Sequence, residues 1–125
     1  MSTDFKSTKG IFQQIADTLS HRILEGTLQA GDRIPSVRDL SEEFEVNRNT
    51  LLRTYSLLSD AGIIDNKRGV GFFVADDAVE RIRTREKAAF FADELPDFLN
   101  KVRLLGLTKD DLAELLNQLE KNTNL

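Results

Sequence analysis

Ile11, Ile15, Leu19 and Ile23 recur every four residues, with Phe12 and Ala16 beside them and polar residues between. That spacing gathers apolar side chains on one face of a helix and predicts about four amphipathic turns. Gly26 and Gly31 end the pattern, and the stretch from Gly26 to Arg33 reads as a connector. Pro35-Ser36 then opens a second, short helix. Ser36 is followed three residues later by Asp39, a capping-box pattern with Asp in the acidic role, and Val37, Leu40 and Phe44 give this helix its buried side. Val46-Asn47 is the next break. Asn47 is a good N-cap, and Leu51, Tyr55 and Leu58 repeat at helical spacing up to the stop signal Ala61-Gly62. Two short helices therefore meet across a tight turn.

After Gly62 the pattern changes. Ile63-Ile64-Asp65 and Phe72-Phe73-Val74 are β-prone, and Lys67-Arg68-Gly69 between them reads as the turn of a basic-tipped hairpin. From Asp76 onward the character is helical again. A charged stretch from Val79 to Lys87 leads into Ala88-Ala89-Phe90-Phe91, and Pro96 breaks this helix or opens the next. Phe98, Val102 and Leu105 form a stripe before Gly106, and Thr108 with Asp111 makes a second capping-box pattern ahead of Leu112, Leu115, Leu116 and Leu119. The predicted fold class is mainly α with a small β-hairpin. It consists of a winged helix-turn-helix over residues 1–75, followed by a short α-helical dimerisation tail over residues 76–125.

Composition narrows the chemistry. With 125 residues, 40% hydrophobic and 30% charged, the chain is the size of one ordinary domain or of a compact domain with a helical appendage. It has no apolar run near the roughly 20 residues of a membrane span, and Met1 to Gly10 is polar, unlike a signal peptide; a cytoplasmic location and no membrane partner are expected. With no cysteine and a single histidine, disulfides, thiolate chemistry and a histidine metal cluster lose their parts. His21, between Ser20 and Arg22, reads as a solvent-facing residue. No enzyme activity, metal or cofactor is expected.

The net charge of −4 weighs mildly against nucleic-acid binding. Distribution alters that reading. Residues 1–75 hold nine Lys/Arg and ten Asp/Glu, residues 76–125 eight and eleven, and Asn47 to Leu58 contains Arg48 and Arg53 with no acid. On this third helix Asn49, Arg53 and Ser56 fall at i, i+4 and i+7, away from the face of Leu51, Tyr55 and Leu58. Asn can pair bidentately with adenine and Arg with guanine, and a helix N-terminus attracts phosphate through its free N–H groups. The face suits a recognition helix, although any solvated helix also turns polar residues outward.

The segment Ile34-Pro35-Ser36-Val37-Arg38-Asp39-Leu40-Ser41 is similar to the leucine-proline-serine-x-arginine-glutamate-leucine-alanine motif of GntR-type regulators. The run from Asn47 to Tyr55 resembles the asparagine-proline-asparagine-threonine-valine-x-arginine-alanine-tyrosine pattern of the YtrA subfamily. Gly62-Ile63-Ile64 and Gly69-Val70-Gly71-Phe72-Phe73-Val74 resemble the family's wing. The resemblance covers roughly residues 11–75. It implies a sequence-specific DNA-binding transcription regulator, with repressor the expected sign, on a palindromic operator in double-stranded DNA. It further implies that Ser36 and Arg38 hold DNA backbone or a base edge, that Asn47, Arg48, Asn49, Thr50 and Arg53 make groove and phosphate contacts, and that Lys67, Arg68 and Gly69 touch the minor groove. Two positions depart from the pattern: Arg48 replaces the YtrA proline, and Leu52 stands where many other members carry an operator-contacting arginine. Operator preference therefore does not transfer from relatives.

Phe90, Phe91, Phe98, Val102, Leu105, Leu112, Leu115, Leu116 and Leu119 are more apolar surface than two or three solvated helices cover by themselves. They point to a homodimer, with packing on the chain's own winged domain as the alternative. Glu42, Glu43 and Glu45 are expected to face away from DNA, where they would lower nonspecific affinity. The competing reading is a winged helix used as a protein-interaction module, which fits the negative charge but leaves the basic wing without a purpose. The tail is too short for a separate ligand-binding domain, so an effector, if one exists, would sit between wing and tail or at the dimer seam.

Overall fold

The computed structural model describes residues 9–123, so most of the polar N-terminal stretch lies outside the described residues. The chain divides into two compact units, Met1–Arg85 and Glu86–Leu125. In the first, α1 (Ile11–Leu24), α2 (Val37–Phe44) and α3 (Arg48–Asp60) precede a hairpin of β1 (Ile64–Lys67) and β2 (Gly71–Val74), and α4 (Ala78–Ala89) follows. Its core takes Ile15, Ala16, Leu19 and Ile23 from α1, Leu40 from α2, and Leu51, Tyr55 and Leu58 from α3, closed by Ile34, Ile63, Ile64 and Val74. Ile11, in the first turn of α1, is instead exposed, and Phe12 is half-buried.

The expected caps form. Ser36 Oγ accepts from the Asp39 N–H at 3.1 Å and Asn47 Oδ1 from the Thr50 N–H at 2.9 Å. Each satisfies an N–H that a helix start leaves without an intrahelical partner. Between the two helices Glu45 takes the left-handed conformation at φ 54°, and the Val46 N–H returns to the Ser41 carbonyl at 3.1 Å. This is the tight turn of a helix-turn-helix, made without the glycine that such a φ favours.

The connector before Pro35 is more ordered than its composition suggests. Arg33 bridges Phe73 antiparallel to β2, the Ile34 N–H donates to the Phe72 carbonyl at 2.8 Å, and the Val74 N–H donates to the Asp32 carbonyl at 2.9 Å. A single β-bridge with its flanking hydrogen bonds thus covers the edge of β2. The two compact units divide ten residues after the composition shifts at Asp76, because Ala78 and Ile82 of α4 are buried in the first core.

Tyr55 joins three elements of this unit. It is 1% exposed on α3, its hydroxyl donates to the Pro35 carbonyl just before α2, and its ring meets Phe72 of β2 edge-on at 4.8 Å. Burial, and then the Asp39 carboxylate, push its ionisation well above the ordinary 10.0. Tyr55→Phe is expected to lower stability by about 1–3 kcal/mol in urea denaturation, because the Pro35 carbonyl loses its partner in a closed setting. The raised value also sets a pH sign. The stability it contributes is complete below the ordinary tyrosine value and declines above it, as the unfolded phenol ionises while the folded one stays neutral. Tyr55 is the single tyrosine, so the variant should lose this alkaline decline.

The second unit continues α4 through a π-helical turn (Phe90–Glu94) into α5 (Leu95–Leu105) and α6 (Lys109–Thr123). Pro96, which has no N–H to give, stands at the start of α5 just past the π-helical turn, where Glu94 and Leu95 keep the right-handed helical conformation. Gly106, at φ 64°, ends that helix in the left-handed region. Thr108 and Asp111 make the reciprocal capping box: the Asp111 N–H donates to Thr108 Oγ1 at 3.2 Å and the Thr108 N–H to Asp111 Oδ2 at 2.9 Å. No described residue of this unit is buried; Val102 and Leu112 are half-covered. Ten of the thirteen exposed large hydrophobics among the described residues fall here, among them Phe90, Phe91, Phe98, Leu105, Leu115, Leu116 and Leu119. These helices hold their shape by local caps while their apolar faces remain open.

Candidate nucleic-acid interface

The buried side of α3 is Leu51, Thr54, Tyr55 and Leu58. The helical period therefore turns Arg48, Asn49, Leu52, Arg53 and Ser56 outward together, and all five are exposed. Thr54 was not part of the apolar pattern. Its burial follows from a hydrogen bond in which Thr54 Oγ1 donates to the Phe12 carbonyl at 2.8 Å, tying α3 to α1.

The ten candidate contact residues differ in how free they are. Ser36, Asn47 and Thr50 are partly occupied as caps: Asn47 Oδ1 also accepts from Thr50 Oγ1 at 3.2 Å. That leaves the Asn47 amide N–H groups and the Ser36 O–H to donate outward. Arg38 is exposed at the start of α2 and makes no ion pair with Asp39 or Glu42 among the described residues. Arg48 and Asn49 stand in the first turn of α3, next to its uncovered N–H groups. Of the neighbouring acids, Glu43 pairs with Arg22 of α1, which removes part of the repulsion an anionic ligand would meet.

Two cations rest on aromatic rings. The Arg53 guanidinium lies 4.1 Å from the centroid of Phe12, and Lys67 Nζ lies 4.5 Å from that of Phe73. Such contacts hold a cation in place without neutralising it. At the hairpin end Arg68, Gly69 and Val70 are exposed, with Gly69 at φ 79° and the Val70 N–H donating to the Lys67 carbonyl at 2.8 Å. Gly71 takes φ 139°, a conformation that L side chains rarely adopt, and the flexible Arg33 guanidinium lies against it, with Nε 2.9 Å from where a Cβ would stand. Sequence reasoning left out Phe12 and Arg33. Phe12 stands beside the apolar repeat of α1, and no local pattern announces the register that sets Arg33 beside the wing.

Tyr55 brings these groups into one assembly, since it touches the segment before α2, the body of α3 and β2 at once. Two helix starts and a basic hairpin tip are thus built on one core, with Arg38, Arg48, Arg53, Lys67 and Arg68 exposed and amide and hydroxyl donors on the same elements, a chemistry suited to a polyanion with readable base edges.

Comparison with known proteins agrees with that chemistry. Residues 11–74 match the model of the bacterial regulatory proteins of the gntR family. The chain is 38% identical over 114 residues to the HTH-type transcriptional regulator YhcF of Bacillus subtilis, covering 91% of this chain and 93% of that protein. It is 27% identical over 116 residues to the HTH-type transcriptional repressor YtrA of the same organism, covering 93% and 88%. Among solved structures, a GntR-family regulator from Bacteroides thetaiotaomicron superposes with a TM-score of 0.72 at 35% identity, over 91% of this chain and 99% of that one. The DNA-binding domain of AraR, solved with operator ORX1, superposes with a TM-score of 0.54 at 26% identity, over 56% and 84%. The protein therefore belongs to the gntR family of bacterial regulatory proteins and is a DNA-binding transcription regulator built on a winged helix-turn-helix.

Proposed function

We propose that the protein is a homodimeric repressor of a palindromic operator. Each protomer lays α3 in a major groove, with Arg48, Asn49 and Arg53 at base edges and phosphates. Ser36, Arg38, Asn47 and Thr50 hold the flanking backbone, and the Lys67-Arg68-Gly69 tip enters the minor groove. The observation that carries the reading is the exposed outward face of α3, without an acid from Asn47 to Leu58, beside a helix N-terminus whose first N–H groups lie outside the Asn47–Thr50 cap. Dimerisation is supported by the second unit, whose described residues include none that is buried and many exposed leucines and phenylalanines. A C2 dimer carries two identical copies of α3, and an inverted-repeat site follows from the symmetry, with half-sites about one DNA turn apart, roughly 34–36 Å, in helix-turn-helix dimers generally. The sign of regulation is taken from YtrA, a repressor similar along almost its whole length.

The competing use, a winged helix docking on protein, gains support only from the net charge of −4. Salt dependence separates the two. Each neutralised phosphate contributes about −0.9 to the slope of log affinity against log salt. With Arg38, Arg48, Arg53, Lys67 and Arg68 exposed on each protomer, the expected slope on duplex DNA is steep, on the order of −5 or beyond. A slope near zero, or no binding at low salt, would reject the DNA reading.

A further inference from the structure

Leu52 is 51% exposed in the middle of the polar face of α3. Arg48, Leu52 and Ser56 follow one another at i, i+4 and i+8, and Asn49 and Arg53 run alongside, so charged or hydrogen-bonding side chains surround an open isobutyl group. A lone exposed leucine is ordinarily without meaning. Here it occupies the centre of the face that a DNA duplex would cover, on a stretch carrying two arginines and no carboxylate from Asn47 to Leu58. Leu52 plays no part in holding the fold: the core of this unit is built from Leu51, Tyr55 and Leu58 on the other side.

Resting on the proposed DNA-binding role, we infer that Leu52 is a specificity-determining residue that reads the C5-methyl group of one thymine in each half-site. The major-groove edge of DNA offers donors and acceptors at every base pair, and thymine alone among the four bases adds an apolar group there. An isobutyl side chain has no hydrogen bond to give. Set against a cytosine amino group or a guanine carbonyl, it would strip water from a polar atom without replacing the bond, a cost that discriminates against those bases. Set against a methyl it loses nothing and removes apolar area from water. Arg48, Asn49 and Arg53 fix the register by polar contacts, and Leu52 then selects thymine at the position between them.

The test uses the full chain and a duplex enriched by it from random sequence. Each thymine is replaced singly by deoxyuridine, which lacks only the methyl, and binding is compared for the wild type and Leu52→Ala. At one symmetric position the wild type should lose about fourfold in affinity per half-site, and about fifteenfold when both are changed, the effect of burying one methyl each. Leu52→Ala should bind the normal duplex more weakly and show no penalty at that position. Leu52→Gln should shift the enriched base there away from thymine. If the wild type binds its duplex but no deoxyuridine penalty depends on residue 52, the inference fails while the regulator reading stands. If Leu52→Ala changes the oligomeric state instead, the side chain serves an interface between copies and the inference is overturned. If no duplex is enriched at all, both this inference and the regulator reading are contradicted.

Discussion

Replacing Leu115 and Leu116 together by glutamate is expected to yield monomers by light scattering and to weaken operator binding by about 10²–10⁴-fold. Both leucines are exposed on α6, so the isolated helix should tolerate the change, whereas a C2 interface would bury four like charges around its axis at a prohibitive desolvation cost. The affinity loss follows from linkage. Two half-sites engaged by one dimer gain an effective concentration for the second contact that independent monomers lack, without any change in the contacts themselves. The winged unit carries its own core, and its thermal unfolding should remain cooperative in the variant. A dimer that persists would place the self-association surface elsewhere, and a dimer lost with operator affinity intact would deny that two copies act together.

The second large effect is expected at the outward face of α3. Arg53→Ala should reduce affinity for the operator by about 1–3 kcal/mol per half-site, hence about 2–6 kcal/mol for a symmetric complex. Arg48→Ala should fall in the same range. The two substitutions should differ in kind. Arg48 stands beside the helix N-terminus, where phosphate is favoured, so its removal should weaken all sequences evenly and flatten the salt slope by about one per site. Arg53 is steadied over Phe12, and its removal should relax sequence preference as well as affinity if it reaches a base edge. Binding curves on matched and shuffled duplexes at several salt concentrations read both. Loss of the cation–π contact costs the free protein only about 0.5–1 kcal/mol at so exposed a site, so unfolding midpoints should barely move.

Much of the fold was legible because local signals and tertiary packing agree. Ser36, Asn47 and Thr108 cap the helices that the apolar spacing locates, and Leu51, Tyr55 and Leu58 are buried together as their period requires. What escaped depends on partners distant in sequence. The β-bridge at Arg33 exists only because Phe72 and Val74 supply the flanking hydrogen bonds. Thr54 is buried because the Phe12 carbonyl, 42 residues away, accepts its hydroxyl. Ala78 and Ile82 look like the start of a separate tail in composition, and their burial in the first core is a matter of packing alone.

The candidate interface divides in the same way. Its side chains were readable, since helical periodicity sorts outward from inward on α3 and the hairpin turn is marked by Lys67-Arg68-Gly69. The supports beneath them were not: Phe12 under Arg53, Phe73 under Lys67, and the Tyr55 bond to the Pro35 carbonyl all require the folded chain. Leu52 was visible as a departure from the family pattern, and its meaning emerges only from its place among Arg48, Asn49, Arg53 and Ser56 on one exposed face.

The most direct test of the central claim is selection of duplexes from a random-sequence pool by the full-length protein, repeated with Arg38→Ala and Arg53→Ala. The account predicts enrichment of an inverted repeat whose half-sites lie about one helical turn apart, loss of that enrichment with Arg53→Ala, and weaker binding with Arg38→Ala. A pool that remains unenriched even at low salt, or a selected site without two-fold symmetry, would contradict a dimer reading a palindrome through α3.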